Sequence, residues 1–207
     1  MKLRVCGVLT ITALLMAAQT AFGQGRERVI IWQWQDAAAP FPGPVLTGVD
    51  GKTAPSDVTA LEVLDILVAG KPVRICQPFA AGGDWMKDFE VRVKNVSGKP
   101  IAYARLHLTL PEAENGGVLL GVGLRHGGAA GGGWGQEAPK VIMPGDEFVL
   151  KRTEEEYERD RQWVAESGGV TDISRVWFGR INARFADDTV WAGFPRIRGV
   201  PVNSACP

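Results

Sequence analysis

The residues able to do chemistry are few and scattered. Only two histidines are present, His107 and His126. Neither has a cysteine or carboxylate at a recognised ligand spacing, and a zinc site takes at least three protein donors. A serine nucleophile needs a base that is itself held by a third group. No Gly-x-Ser-x-Gly elbow occurs, Ser97 sits in a turn signature, and Ser167 sits where a helix should stop. Asp84, Asp187 and Asp188 are the carboxylates from which a glycoside-cleaving pair could be drawn. "ADDT" at 186–189 is, however, a turn signature first, since aspartate bonds its own backbone there. No catalytic residue, metal ligand or cofactor is therefore expected.

Residues with the types needed for binding are easier to find. "RHGGAAGGGWGQ" at 125–136 places Arg125, His126 and Trp134 around a run of glycines. A phosphate-cradling loop needs its glycines between a strand and a helix N-terminus. Gly121 and Gly123 begin such a pattern, but His126 replaces the third glycine and no helix opens downstream. Two readings are left: a slack connection between strands on the rim of a β-structure, or a surface loop that meets a partner. Seven tryptophans is a high count. Most should be core, because large aromatics dominate interiors. Trp32 and Trp34 share one face of an alternating stretch and form a candidate platform. The candidate ligand contacts are therefore Arg125, His126, Trp134, Trp32 and Trp34.

Charge and targeting narrow the partners. The 207-residue chain has as many acidic as basic side chains, 23 of each, without the basic excess that nucleic acid or anionic membranes require. Lys2 and Arg4 precede an apolar run from Val5 to Ala18, and "AFG" at 21–23 supplies small residues for cleavage. Residues 1–23 read as an export signal, too short to span a bilayer, and no later segment is an anchor. The expected location is periplasmic or extracellular. Cys6 falls within the signal, which leaves Cys76 and Cys206. In an exported chain an even pair suggests a disulfide; two separate thiols are the alternative.

These residues must be positioned by β-structure. "RVIIWQWQ" at 28–35 alternates, and a Pro/Gly-rich connection follows to about residue 59. "ALEVLDILVAGKPVRICQPF" reads as two short strands. In "KDFEVRVKNVSGKPIAYARLHLTLP" Phe89, Val91 and Val93 alternate with charged residues. After "NVSGKP", Ala104, Leu106, Leu108 and Leu110 share a face. The expected element is a β-hairpin about that turn, with Asn95 of the Asn-Val-Ser glycosylation pattern accessible in it. Further strands are expected at 118–124, 146–152, 173–185 and around Trp191. A single helix is expected at about 153–166, where Thr153 and Glu156 form a capping-box signature and Ser167-Gly168-Gly169 stops the run. Tyr157 and Val164 would give it a narrow apolar stripe. The fold class is mainly β, an antiparallel immunoglobulin-like sandwich with one inserted helix, its domain spanning 60–198 and a tail at 199–207.

The segment "FAAGGDWMKDFEVRVKNVSGKPIAYARLHLTLPE" (79–112), with "PGDEFVLK" and "FADDTVWAGFPRIR", resembles a group of uncharacterised exported bacterial proteins with an immunoglobulin-like β-sandwich. The similarity spans roughly residues 60–198. It implies a sandwich and an exported location, and it carries no catalytic residue.

The functional expectation is an exported single-domain binding or interaction module, with an envelope protein or saccharide as the candidate partner, and not an enzyme. Two alternatives stand beside it. One is a hydrolase using acidic residues near Trp85 or Asp187, and the other is a structural envelope protein without a small ligand.

Overall fold

The computed structural model describes residues 25–32, 45–47, 53–55, 59–126 and 141–200. Residues 1–23, expected to be an export signal, Trp34, the glycine-rich run with Trp134, and Cys206 lie outside these residues. Among the described residues the chain is mainly β, with two mostly antiparallel sheets and one helix.

The strands are β1 (Arg26–Trp32), β2 (Val45–Thr47), β3 (Thr53–Pro55), β4 (Leu61–Val68), β5 (Lys71–Val73), β6 (Phe79–Ala81) and β7 (Phe89–Asn95). They continue with β8 (Ile101–Asn115), β9 (Val118–His126), β10 (Glu147–Leu150), β11 (Arg175–Phe185), β12 (Val190–Gly193) and β13 (Arg196–Ile197). The helix α1 spans Glu154–Gly168 and lies between β10 and β11.

The larger sheet is organised around β11. One edge of β11 pairs with β8, which continues to β9 at the sheet's margin. The other edge is shared. Its first half pairs in parallel with β1, and its second half pairs antiparallel with β12. From there β6 extends beyond β1, while β2 and β3 extend beyond β12. The smaller sheet runs β10-β7-β4, with β5 and β13 sharing the far edge of β4. The β4–β5 turn places Ala69 at φ 49° and Gly70 at φ 72°. This left-handed pair matches the twist of the strands it joins.

The alternation along β7 and β8 is as expected, but their pairing is not. Phe89, Val91 and Val93 are buried, as are Ala104, Leu106, Leu108 and Leu110. Yet β7 pairs with β4 and β10, and β8 pairs with β11 and β9, so the expected β7–β8 hairpin does not form. The intervening turn is a corner between sheets, and Asn95 builds it. Its Nδ2 donates to the carbonyls of Lys99 (2.9 Å) and Ile142 (3.1 Å). Its Oδ1 accepts from the Ser97 N–H (3.0 Å) and Oγ (2.7 Å). Asn95 is fully buried, so the glycosylation-pattern asparagine is structural and not accessible as expected. Two isolated bridges, Ile101 to Ile142 and Arg125 to Lys151, join the sheets along this side.

One hydrophobic core lies between the sheets, with Leu106 and Leu108 of the larger sheet and Val91 and Val93 of the smaller among its members. Fully burying an aliphatic side chain of this size is worth about 1.5–3 kcal/mol. Trp85 is buried edge-on to Phe79 and Phe89, and its Nε1 donates to the Ile173 carbonyl at 2.7 Å. Beside it Arg28, also fully buried, donates to the same carbonyl at 2.7 Å and meets Asp172 at 2.7 Å. That cluster fixes the start of β1 against the 82–84 and 172–174 segments.

Helix α1 begins at the expected capping box. Thr153 accepts from the Glu156 N–H, and the Glu156 carboxylate accepts from the Thr153 N–H at 2.9 Å. Gly169 closes it in the left-handed conformation at φ 66°. Tyr157 and Val164 are its buried apolar residues, and Trp163 is exposed. The helix packs across β8 and β9. At its end Gly168 sits so close to Ala113 and Leu120 that a Cβ there would lie 2.9 and 3.0 Å from their side chains.

Candidate functional site

Among the described residues β9 is the last strand of the larger sheet, laddered with β8 on one side and carrying a single bridge, Arg125 to Lys151, on the other. Leu120, Val122 and Leu124 point into the core and are buried. The alternate positions on the outer face are Gly121, Gly123 and Arg125. Gly121 is exposed, and since glycine has no side chain its exposed surface is main chain. Gly123 stands opposite His107 and carries the Arg105 side chain over it. A Cβ at position 123 would lie 2.5 Å from Arg105 Nε.

Beyond the edge of β9 stands the first half of α1. Between them runs a cleft of about 430 Å3, lined by Tyr103, Arg105, Gly121, Gly123 and Arg125 from the sheet and by Glu156, Arg159 and Asp160 from the helix. Arg125 and Arg105 are directly opposed across the two strands. Like charges in that position repel. Glu156 offsets the repulsion by pairing with Arg125, both groups being largely buried. Asp160 faces inward to Arg152 at 3.6 Å. Arg105 and Arg159 form no ion pair among the described residues, so the cleft has a cationic balance.

On the core side of α1 lies a cavity of about 40 Å3 bordered by Arg152, Tyr157, Asp160 and Val164. Arg152 is buried there, donating to the Met86 carbonyl at 2.6 Å and lying 5.5 Å from the Tyr157 ring centroid. The Tyr157 hydroxyl donates to Asp84 at 3.0 Å. Burial, and then the bond to Asp84, push the Tyr157 hydroxyl up to about 12. This polar cluster ties α1 to the segment preceding β7.

The sequence-based candidates separate. Arg125 lines the cleft. His126 packs edge-on against Phe148, with centroids 5.1 Å apart. Trp32 stacks on Phe178 at 5.5 Å and touches Phe194 at 5.8 Å, so its ring faces are engaged by the protein. Trp34 and Trp134 lie outside the described residues, as does Cys206, the expected partner of Cys76. His107 is half-buried and shares a hydrogen bond of 3.2 Å with Asn182. Burial, followed by Arg105 and Arg180, lowers its pKa and favours the neutral ring.

Of the carboxylates considered for hydrolysis, Asp187 meets Lys99 Nζ at 2.6 Å and accepts from the Thr189 N–H and hydroxyl. These bonds hold its carboxyl at about 2. An ionised, turn-building aspartate is poorly suited to donate a proton at neutral pH. Asp84 is engaged by Tyr157, as above.

Reading the types of single residues missed Arg105, Arg159 and the edge glycines as a group. The available signal was the alternation in "VLLGVGL", which places both glycines on the outward face of a strand. Among the described residues no helix is long and apolar enough to cross a membrane. Comparison with family models, with curated proteins and with solved structures finds no match.

Proposed function

We propose that the protein is an exported binding module whose cleft between β9 and α1 takes a ligand bearing carboxylates. One observation carries this reading: Arg105 from β8 and Arg159 from α1 border a single concave site floored by glycine backbone. Concave sites with a few convergent polar groups are where ligands are held, and guanidinium groups pair well with carboxylates. The immunoglobulin-like assignment and the Cys76–Cys206 disulfide belong to the same proposal. Intact mass before and after reduction and alkylation tests the disulfide.

Calorimetric titration of the purified chain with polygalacturonate and with a Glu-Val repeat hexapeptide tests the cleft. Their controls are neutral dextran and a Ser-Val repeat hexapeptide. An acidic probe should bind more tightly than its neutral counterpart, and the preference should weaken as salt is raised. Arg159→Glu should reduce that affinity by about threefold to tenfold, the range expected when an exposed ion pair becomes a repulsion. Equal binding of acidic and neutral probes, or an unaltered Arg159→Glu variant that remains folded, would overturn the reading.

A further inference from the structure

We infer that the occupant of the cleft is an extended acidic peptide segment, added as a further strand to the open edge of β9. This rests on the reading of the cleft as a carboxylate-binding site and specifies its ligand. The backbone groups of β9 set the direction of such an addition. Arg125 exchanges both main-chain hydrogen bonds with Lys151, its N–H donating to the Lys151 carbonyl at 3.0 Å and its carbonyl accepting at 3.2 Å. Its N–H and C=O therefore point away from β8. In an antiparallel pair this orientation alternates along the strand. The β8–β9 register is unbroken from Leu110–Leu120 to Ala104–His126. Gly123 and Gly121 thus also turn their N–H and C=O outward, toward the cleft, and no described residue takes up those groups.

Open strand edges are templates for another chain, and proteins usually blunt them with charge, proline or a covering element. Among the described residues no main-chain bond covers this edge at Gly121 and Gly123, and α1 stands across the cleft from them. Glycine within a strand weakens it and often marks a place where another backbone approaches closely. At Gly123 the space is taken by Arg105, which is thereby held over the strand beside its edge. Lys151 already shows the geometry, pairing with Arg125 one step further along the same edge. An added strand would continue from that bridge along Gly123 and Gly121. Alternate side chains of the added segment would then lie on the outer face, beside Arg105, and the helix wall would present Arg159. Charge complementarity selects acidic residues there. The same charges disfavour a second copy of this chain, because pairing β9 with β9 would bring two sets of these arginines together.

Amide hydrogen exchange of the isotopically labelled chain, followed residue by residue with and without the Glu-Val repeat hexapeptide, tests the inference. Exchange at Gly121 and Gly123 should slow by about tenfold or more on saturation, as for any amide newly placed in a ladder. Peptides N-methylated at single positions should lose binding in an alternating pattern, since only every second N–H of a strand faces β9. Three results would each overturn strand addition. If polygalacturonate binds with dependence on Arg159 but the peptide leaves both glycine amides unprotected, the carboxylate cleft stands and the added strand does not. If N-methylation weakens binding equally at every position, the ladder is absent. If the two amides are already protected in the free protein, in a concentration-dependent way, the edge is taken by a second copy. If neither acidic probe binds, the carboxylate reading falls together with the inference.

Discussion

Arg125 and Glu156 pair across the gap between the edge of β9 and the first turn of α1. Glu156 does this with one carboxylate oxygen while the other completes the capping box with Thr153. One side chain thereby secures the start of the helix and neutralises one of two opposed arginines.

Glu156→Gln should separate these roles. Glutamine can still serve the capping box, but a largely buried Arg125 then lacks its counter-charge. Destabilisation of about 2 kcal/mol is expected, below the roughly 3–5 kcal/mol of a fully buried pair because the site is partly wet. Urea unfolding of Glu156→Gln, Arg125→Met and the double variant checks this. A double variant more stable than Glu156→Gln alone is the expected outcome, and strict additivity would rule the pair out as the cause.

Asn95→Ala should cost about 3 kcal/mol. It removes a buried amide that serves two carbonyls and two Ser97 donors, and unsatisfied buried groups each carry about 1–3 kcal/mol. Thermal unfolding measures it. A variant within 1 kcal/mol of the parent, on the scale of an ordinary surface substitution, would mean that the corner is held by its flanking strands instead.

Gly168→Ala should destabilise although alanine is the better helix former. The gain in propensity is at most about 1 kcal/mol. The new methyl would meet Ala113 at 2.9 Å and Leu120 at 3.0 Å, and overpacking of this kind costs about 1–3 kcal/mol. A net loss near 1 kcal/mol in chemical denaturation is expected, and a net gain would show that the helix end can shift outward.

Tyr157 gives the alkaline limb of stability a specific source. Its hydroxyl is raised from its ordinary value near 10 to about 12. A group that holds its proton more tightly when folded stabilises fully below its unfolded pKa. That contribution is lost as pH rises from about 10 through about 12. Tyr157→Phe should be less stable at pH 8, by about 1 kcal/mol for the lost bond to Asp84. Its stability should also fall less steeply than the parent's above pH 10. Parallel slopes for the two proteins would overturn the assignment.

Much of the fold was legible because alternation reports which side of a strand is dry. Phe89, Val91 and Val93 face the core as their spacing indicates, and the α1 capping box stands where Thr153 and Glu156 place it. Alternation does not name a strand's neighbour. The "KNVSGKP" turn has the composition of a hairpin, and what makes it a corner is the bond from Asn95 to Ile142, 47 positions away. The cleft was hidden for a similar reason. Arg105, Gly123 and Arg159 come from three separate elements, and the glycines gain meaning only once β9 is known to be an edge.

The parallel pairing of β1 with β11 sets an order in time. Its residues are matched with Val29 beside Arg175, so the first described strand waits for one of the last. During synthesis the β8–β9 hairpin can form early, while β1 has only β6 beside its Arg26–Arg28 end, and its Val29–Trp32 stretch lacks its sheet neighbour until β11 emerges. Closing so long a loop slows folding and lengthens exposure to misassembly. The molecule therefore completes its larger sheet only after β11 has been delivered, and a product truncated before residue 175 would leave the Val29–Trp32 stretch without its sheet neighbour.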